Sequence, residues 1–518
     1  MRLRETSLEN SNLYSLFEPV FKREAVQVAF TSTTRGDLSY ADFEKLIGRM
    51  ANALLSLGLG RSQRVIAQTD KSVESVALYL AVIKIGAVYC PLNTAYTRGE
   101  VEGFISDCEP SLFVGADKRR DEFSQIADQF PGLQYVTLSG DGSGSLAQLV
   151  DQQSDDHDTA VVGWADIAAI VYTSGTTGRS KGAMLSHGNL ISNGLTLHEI
   201  WGFRPGDVLL HALPIYHVHG LFIALNTAFL NGSKIIWLET FNVEDVLENL
   251  PQASVMMGVP TYYTRLLASP DFDKNVCANM RLYISGSAPL LSETHEEFEA
   301  RCGHRILERY GMSETGMITS NPYEPAVSRI AGSVGFALPD VEVRVADDNG
   351  RILEAGEVGI LEVRGPNVFS GYWRMEAKTR MEFRDDGFFI TGDLANMDDE
   401  GRVTLVGRSK DLIISGGLNV YPREIELVID ELDGVLESAV IGVPHPDFGE
   451  AVVAAVVGDG TKNLGHTDAM LADLKSGLAG FKLPKKIVLL DALPRNAMGK
   501  VQKVLLRVEF ASLFANTL

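Results

Sequence analysis

Apolar and polar residues follow two rhythms through the first half of the chain. Short β-branched runs read as strands at Arg64-Val-Ile-Ala-Gln68, Ala87-Val-Tyr-Cys-Pro91 and Ala168-Ala-Ile-Val-Tyr172. Ser72 to Gly86 carries its apolar residues at helical intervals, and a further helix is expected to begin near Ser186-His187. Strands separated by helices predict an α/β domain built on largely parallel sheets. Ligands in such folds gather at the carboxyl ends of the strands.

After about Pro339 the pattern changes. Val341-Glu-Val-Arg-Val345 and Gly359-Ile-Leu-Glu-Val-Arg364 alternate apolar with polar, which predicts a half-exposed, more antiparallel β subdomain. Gly407-Arg-Ser-Lys-Asp411 is a short polar connector. Beyond it Ile425, Val428, Ile429 and Leu432 have helical spacing, with Pro422 placed to open the helix. Ser438 to Val443 and Val452 to Val457 read as strands. The expected organisation is a large N-terminal domain of parallel α/β sheets with a small β subdomain over residues 1–408, then a small α+β C-terminal domain over 409–518.

Composition narrows the partners. A chain of 518 residues is too long for one ordinary core. Against 46 Lys+Arg stand 67 Asp+Glu, a formal net charge of −21, which argues against nucleic acid and anionic membranes as partners. Any polyanionic ligand must then be met by local positive groups. No apolar run approaches the length of a membrane span. Cys90, Cys108, Cys277 and Cys302 show no metal spacing and read as buried or idle thiols of a reducing compartment. The segment Met1-Arg-Leu-Arg-Glu-Thr-Ser7 has no apolar stretch of the secretory kind, and Glu5 and Glu9 speak against a transit sequence. A cytoplasmic location is expected.

The densest chemistry lies in Tyr172-Thr-Ser-Gly-Thr-Thr-Gly-Arg-Ser-Lys-Gly182. Three glycines let backbone N–H groups turn towards a ligand, and five Ser/Thr hydroxyls add donors suited to phosphate oxygens. Lys181 brings charge to the same place. Glycine, serine and threonine also make ordinary surface turns. The strand before the loop and the helix expected after it favour phosphate binding. No glycine sits five residues before a Gly-Lys-[Ser/Thr] triplet, so this is not a Walker A loop.

The loop resembles the signature of the adenylate-forming superfamily of acyl-CoA synthetases, adenylation domains and luciferases. Further segments resemble that superfamily in sequence order: Tyr310-Gly-Met-Ser-Glu314, Thr391-Gly-Asp393, Gly407-Arg-Ser-Lys-Asp411 and Pro494-Arg-Asn-Ala-Met-Gly-Lys500. The resemblance implies ATP, Mg²⁺ and CoA as reactants, an acyl-AMP intermediate, and a C-terminal domain that is mobile about a hinge. It implies phosphate contacts from Thr173, Ser174, Gly175, Thr176, Thr177, Gly178 and Lys181, and a Mg²⁺ site at Glu314 and Thr176. Tyr310 would stack on adenine along Gly286, Ser287 and Ala288, with Glu308, Arg309 and Ser313 completing the ATP set. Ser313 departs from the family's usual threonine but keeps the hydroxyl.

By the same resemblance, Asp393 and Arg408 hold the ribose, because an ionised carboxylate accepts two O–H donors. Lys500 meets the substrate carboxylate and the α-phosphate. Read alone, Lys485, Lys486, Arg495, Lys500, Lys503 and Arg507 describe only a basic solvated face. Lys410 matches the hinge. Gly417 matches the glycine beside the thiol tunnel, although Gly416-Gly417 is also an ordinary turn.

The acid is addressed by other segments. His211-Ala-Leu-Pro-Ile-Tyr-His217-Val-His219-Gly and Met280-Arg-Leu-Tyr-Ile-Ser-Gly-Ser-Ala-Pro289 resemble malonyl-CoA synthetases. A second carboxylate would be a costly unpaired charge in an apolar acyl pocket. Arginine offers a planar fork for it. The resemblance assigns that fork to Arg281, with His217, Ser285, Gly311 and Met312 nearby. The rival readings are a general short- or medium-chain acyl-CoA synthetase, a stand-alone adenylation enzyme loading a carrier protein, and a catalytically inactive nucleotide-binding protein. Oligomeric state is not legible in the sequence.

Overall fold

Ser72 and Ser186 set two of the helices that frame the fold. Ser72 accepts a hydrogen bond from the Ser75 backbone N–H and opens the helix Val73–Lys84. Ser186 and Asn189 form a reciprocal capping box at the head of His187–Ile200. Each cap gives otherwise orphaned N–H groups a partner and fixes where a strand hands over to a helix. The computed structural model describes residues 10–173, 180–415, 418–446, 448–460, 467–496 and 499–514.

The chain divides into two compact units. The first comprises Met1–Ala331, Gly335–Glu342 and Val363–Phe389. It holds a six-stranded sheet in the order Gln134–Thr137, Leu112–Gly115, Arg64–Gln68, Val88–Pro91, Ile167–Thr173 and Lys181–Ser186. The first five strands are parallel and the last is antiparallel. The expected strands at 64–68, 87–91 and 168–172 are all present. The loop does not pass directly into a helix, however. Lys181–Ser186 turns back along Ile167–Thr173 as a hairpin, with Thr173 opposite Lys181 and Tyr172 opposite Gly182. Its run Lys-Gly-Ala-Met-Leu-Ser is too short and too small-residued to announce itself by period.

A nine-stranded sheet fills the rest of this unit. Its parallel centre runs through Val28–Ser32, Lys234–Trp237, Val208–His211, Val255–Gly258, Leu282–Ser285 and Leu307–Met312, and antiparallel strands lie at both edges. Residues such as Leu282, Tyr283, Ile284 and Leu307 are fully buried, as befits strands covered on both faces.

The second unit comprises Gly332–Val334, Val343–Glu362 and Ile390–Leu518. Phe389–Met397 and Val403–Arg408 pair antiparallel within a four-stranded sheet. The C-terminal part is a five-stranded sheet dominated by the hairpin Val435–His445 and Gly449–Gly458. Pro422–Asp430 packs Ile425 and Ile429 into the core beneath it, so the predicted spacing marks the buried face. All four thiols are buried. Among the described residues, no helix is long and apolar enough to cross a membrane.

Candidate active site

Two strands of the nine-stranded sheet end in the groups that carry chemistry. Leu282–Ser285 runs into Gly286, Ser287 and Ala288, and Leu307–Met312 carries Glu308, Arg309, Tyr310 and Gly311. Their parallel register sets Ser285 beside Glu308. Arg309 is 3% exposed, and its Nε and Nη2 have no hydrogen-bond partner among the described residues. Burial pushes its pKa down to about 9. The guanidinium lies against Gly286, where an added Cβ would stand 2.2 Å from Nη1. Glycine at 286 therefore makes room for the cation.

Around this cation other buried polar atoms lack partners. Ser285 Oγ and His219 Nε2 have none among the described residues. His219 opens a π-helical turn, a rare geometry often found at functional sites. Burial first, then the charges of Arg309 and His217, hold the His219 pKa well below the usual range, so the ring is neutral. Its Nδ1 lies 3.3 Å from Ser287 Oγ. Ser287 adopts φ +73°, a left-handed conformation that costs a non-glycine residue about 1–3 kcal/mol. His217 accepts from the His219 backbone N–H at 3.3 Å. A buried, uncompensated guanidinium costs about 3–5 kcal/mol, and an anion is the natural remedy.

Arg281 is engaged elsewhere. Its Nε donates to Asp207 Oδ1 at 2.7 Å, Nη2 bonds Oδ2 of the same carboxylate, and Nη1 reaches the Trp201 carbonyl. Tyr323 and Phe203 lie against its guanidinium plane. The fork expected to receive an acid is already filled by Asp207, a buried partner 74 positions away. Arg309, placed with the ATP contacts by the sequence resemblance, keeps Nε and Nη2 without a partner among the described residues. Nothing in the sequence near Arg281 signals this pairing.

A second polar group surrounds Glu314, which is 5% exposed. Its Oε1 lies 3.1 Å from Tyr372 Oη and 3.5 Å from Thr173 Oγ1. Burial, opposed by the Tyr372 hydrogen bond, raises the Glu314 pKa. Lys181 begins the hairpin strand, and its ammonium pairs with Glu382 at 3.0 Å. Tyr372 and Glu382 were not singled out from sequence, because neither belongs to a periodic or glycine-rich pattern. Buried hard oxygen donors beside hydroxyl groups fit Mg²⁺. The loop positions Ser174, Gly175, Thr176, Thr177 and Gly178 lie outside the described residues, as does Gly417. Tyr310 is buried, while Met312 and Ser313 are partly exposed.

The second unit brings Asp393, Arg408, Lys410 and Lys500 into electrostatic reach of one another. Asp393 sits opposite Arg408 in the antiparallel pair, and their side chains meet at 2.8 Å. Crowding by protein atoms, then the charges of Arg408 and Lys410, hold the Lys500 ammonium down to about 8, against the pull of Asp393 and Asp411. The residue as a whole remains exposed. Lys410 lies in the turn Ser409–Asp411, and burial and Arg408 lower its pKa as well.

Comparison with known proteins completes the description. Residues 17–373 match the AMP-binding enzyme family, and residues 424–500 match the AMP-binding enzyme C-terminal domain. A malonate–CoA ligase of Arabidopsis thaliana is 34% identical over 474 residues, covering 86% of this chain and 77% of that protein. A mitochondrial malonate–CoA ligase of Mus musculus is 35% identical over 482 residues, covering 86% and 81%. An indoleacetate–CoA ligase of Aromatoleum aromaticum is 33% identical over 478 residues, covering 90% and 92%. The crystal structure of ATP-bound MatB from Rhodopseudomonas palustris superposes with a TM-score of 0.94 at 51% identity, covering 98% of this chain and all of that one.

Proposed function

The chain belongs to the AMP-binding enzyme family, and from that premise we propose that it joins malonate to CoA. It is an AMP-forming acid–CoA ligase with ATP, Mg²⁺ and CoA as reactants. The observation that carries the choice of acid is the orphaned Arg309 guanidinium, with Ser285 Oγ and His219 Nε2 also unpartnered. A dicarboxylate supplies what this cluster lacks. One carboxylate pairs with Arg309, and the other is left to react. A monocarboxylic acid with an apolar tail would leave the guanidinium buried and alone.

In the first half-reaction an oxygen of the free carboxylate attacks the α-phosphorus of ATP, and the bond to pyrophosphate breaks. Lys181 and the hydroxyls of residues 173–177 hold the phosphates, and Tyr310 with Gly286 to Ala288 holds adenine. Asp393 and Arg408 hold the ribose, and Glu308 and Ser313 complete the nucleotide contacts. Lys500 screens the two anions that meet. Glu314 and Thr176 would hold Mg²⁺, which supplies charge neutralisation when bound. In the second half-reaction the CoA sulfur attacks the acyl carbonyl and AMP leaves. Residues 409–518 form the mobile domain that hinges at Lys410 between the two steps, and Gly417 leaves the thiol its path.

Two outcomes test this reading. Across malonate, methylmalonate, succinate, acetate and butyrate, acid-dependent AMP release with CoA should favour malonate over the monocarboxylates by about ten- to a hundredfold in kcat/KM, the worth of one charged hydrogen bond. No preference for diacids would exclude malonate.

The second outcome is a pH profile. Lys500 acts as a cation, and its depressed pKa means the charge is present below about 8 and lost above it. Adenylation kcat/KM, which reports the free enzyme, should therefore fall as pH rises through about 8. Lys500→Arg should remove that limb, since arginine stays charged. We also place the enzyme in the cytoplasm, supported by four unbridged thiols that fit a reducing compartment. Cell fractionation tests this.

A further inference from the structure

Glu382 follows the short helix Glu376–Met381 and belongs to none of the recognised segments. Its Oε1 lies 3.0 Å from Lys181 Nζ and 2.6 Å from Lys378 Nζ. Its Oε2 accepts from Tyr372 Oη at 2.8 Å. The same phenol reaches Glu314 Oε1 at 3.1 Å, and the Lys181 ammonium sits 4.7 Å over the Tyr372 ring. The Lys181 and Glu382 side chains are only 12% and 18% exposed, so solvent screens their pairing weakly. Burial would raise the Glu382 pKa, but the bonds to Lys378, Lys181 and Tyr372 outweigh it and keep the carboxyl charged.

The Tyr372 end of this network has a second, backbone anchor. Backbone bonds already lash residues 370–373 to the hairpin: Met184 N–H to the Gly371 carbonyl at 3.0 Å, Ser370 N–H to Met184 at 3.1 Å, and Trp373 N–H to Gly182 at 2.8 Å. Lys181 closes the phosphate loop and Glu314 is the buried carboxylate of the same unit. Glu382 and Tyr372 are what connects them.

We propose that Glu382 is a positioning residue for adenylation, holding the Lys181 ammonium, through Tyr372, at a fixed separation from the Glu314 carboxylate before ATP arrives. The inference rests on the adenylation reading above and deepens it. A cation freed from its counter-ion is still attracted to phosphate, but it is no longer aimed. Misplacement by about 1 Å costs on the order of a hundredfold in rate. The loss falls on the half-reaction that breaks the phosphate bond and spares the one that does not.

The test uses the full-length enzyme and the variants Glu382→Ala, Glu382→Gln and Tyr372→Phe. Single-turnover acyl-adenylate formation should slow by about ten- to a hundredfold in Glu382→Ala. Thioester formation from supplied malonyl-AMP should stay within about twofold of wild type, and Glu382→Gln, which keeps the bond to the phenol, should recover part of the loss. Tyr372→Phe should lose less, because the ion pair to Lys181 remains. Equal slowing of both half-reactions, or none in either, would overturn the proposal. ATP affinity, measured by calorimetry without acid, decides independently of turnover. A carboxylate that merely stood near the phosphates would repel them, so its removal would tighten ATP binding. A positioning carboxylate leaves ATP bound no more tightly in Glu382→Ala, and tighter binding would overturn the proposal. Absence of acid-dependent AMP formation in the wild type would instead overturn the ligase reading, and the calorimetry would still judge Glu382.

Discussion

Lys500→Ala should slow adenylation by about 10²–10³-fold while leaving thioester formation from supplied malonyl-AMP intact. The step joins two anions, and a fixed cation stabilises the charge that gathers in its transition state. Removing one such preorganised donor typically costs about 10²–10³ in rate. In the second unit crowding by protein atoms, then Arg408 and Lys410, depress the Lys500 pKa against the pull of Asp393 and Asp411, while the residue as a whole stays exposed. The side chain is thus poised as an exposed cation rather than locked into a structural ion pair. Pyrophosphate release measures the first half-reaction, and conversion of malonyl-AMP with CoA measures the second. Retention of both at wild-type rates would remove Lys500 from the mechanism.

The second large effect separates two arginines. Arg309→Met should lower kcat/KM for malonate by about a hundredfold or more, while KM for ATP changes little. Truncating one member of a buried charge pair costs about 2–5 kcal/mol, and malonate would be left with an unpaired carboxylate. Discrimination against butyrate should shrink at the same time, because the vacated pocket becomes apolar. Arg281→Ala should behave in the opposite way. It strands Asp207, which is 3% exposed at its side chain, and should lower the unfolding temperature with little change in acid preference. A variant Arg281→Ala that keeps full stability yet loses malonate would return the role to Arg281.

The contrast between these residues shows where sequence reasoning stops. The strand Arg64–Gln68, the helix that follows Ser72 and the strand expected at 168–172 follow from local periodicity, and they are present as expected. The segments around Lys181, Glu314, Asp393 and Lys500 stand out in the sequence through their resemblance to the motifs of the adenylate-forming superfamily. The partner of an arginine is a tertiary fact. Arg281 precedes one strand and Arg309 lies within the next, and only packing sends one to Asp207 and leaves the other open. Glu382 was illegible for the same reason, since its three partners lie at positions 181, 372 and 378.

The hairpin between Ile167–Thr173 and Lys181–Ser186 has a consequence for how this loop can vary. In a Walker-type loop the lysine opens a helix, so changing the loop's length re-aims the charge. Here Thr173 and Lys181 are opposed in a ladder, about 5 Å apart across the strands. The ring that the loop closes is tied off by the sheet, and lengthening such a ring adds only a logarithmic entropy cost. Insertions between the two anchors are therefore expected to leave the backbone position of the lysine unchanged. The grip on phosphate and the placement of its counter-charge are thus separate inheritances, the first drawn from the loop and the second from the strands.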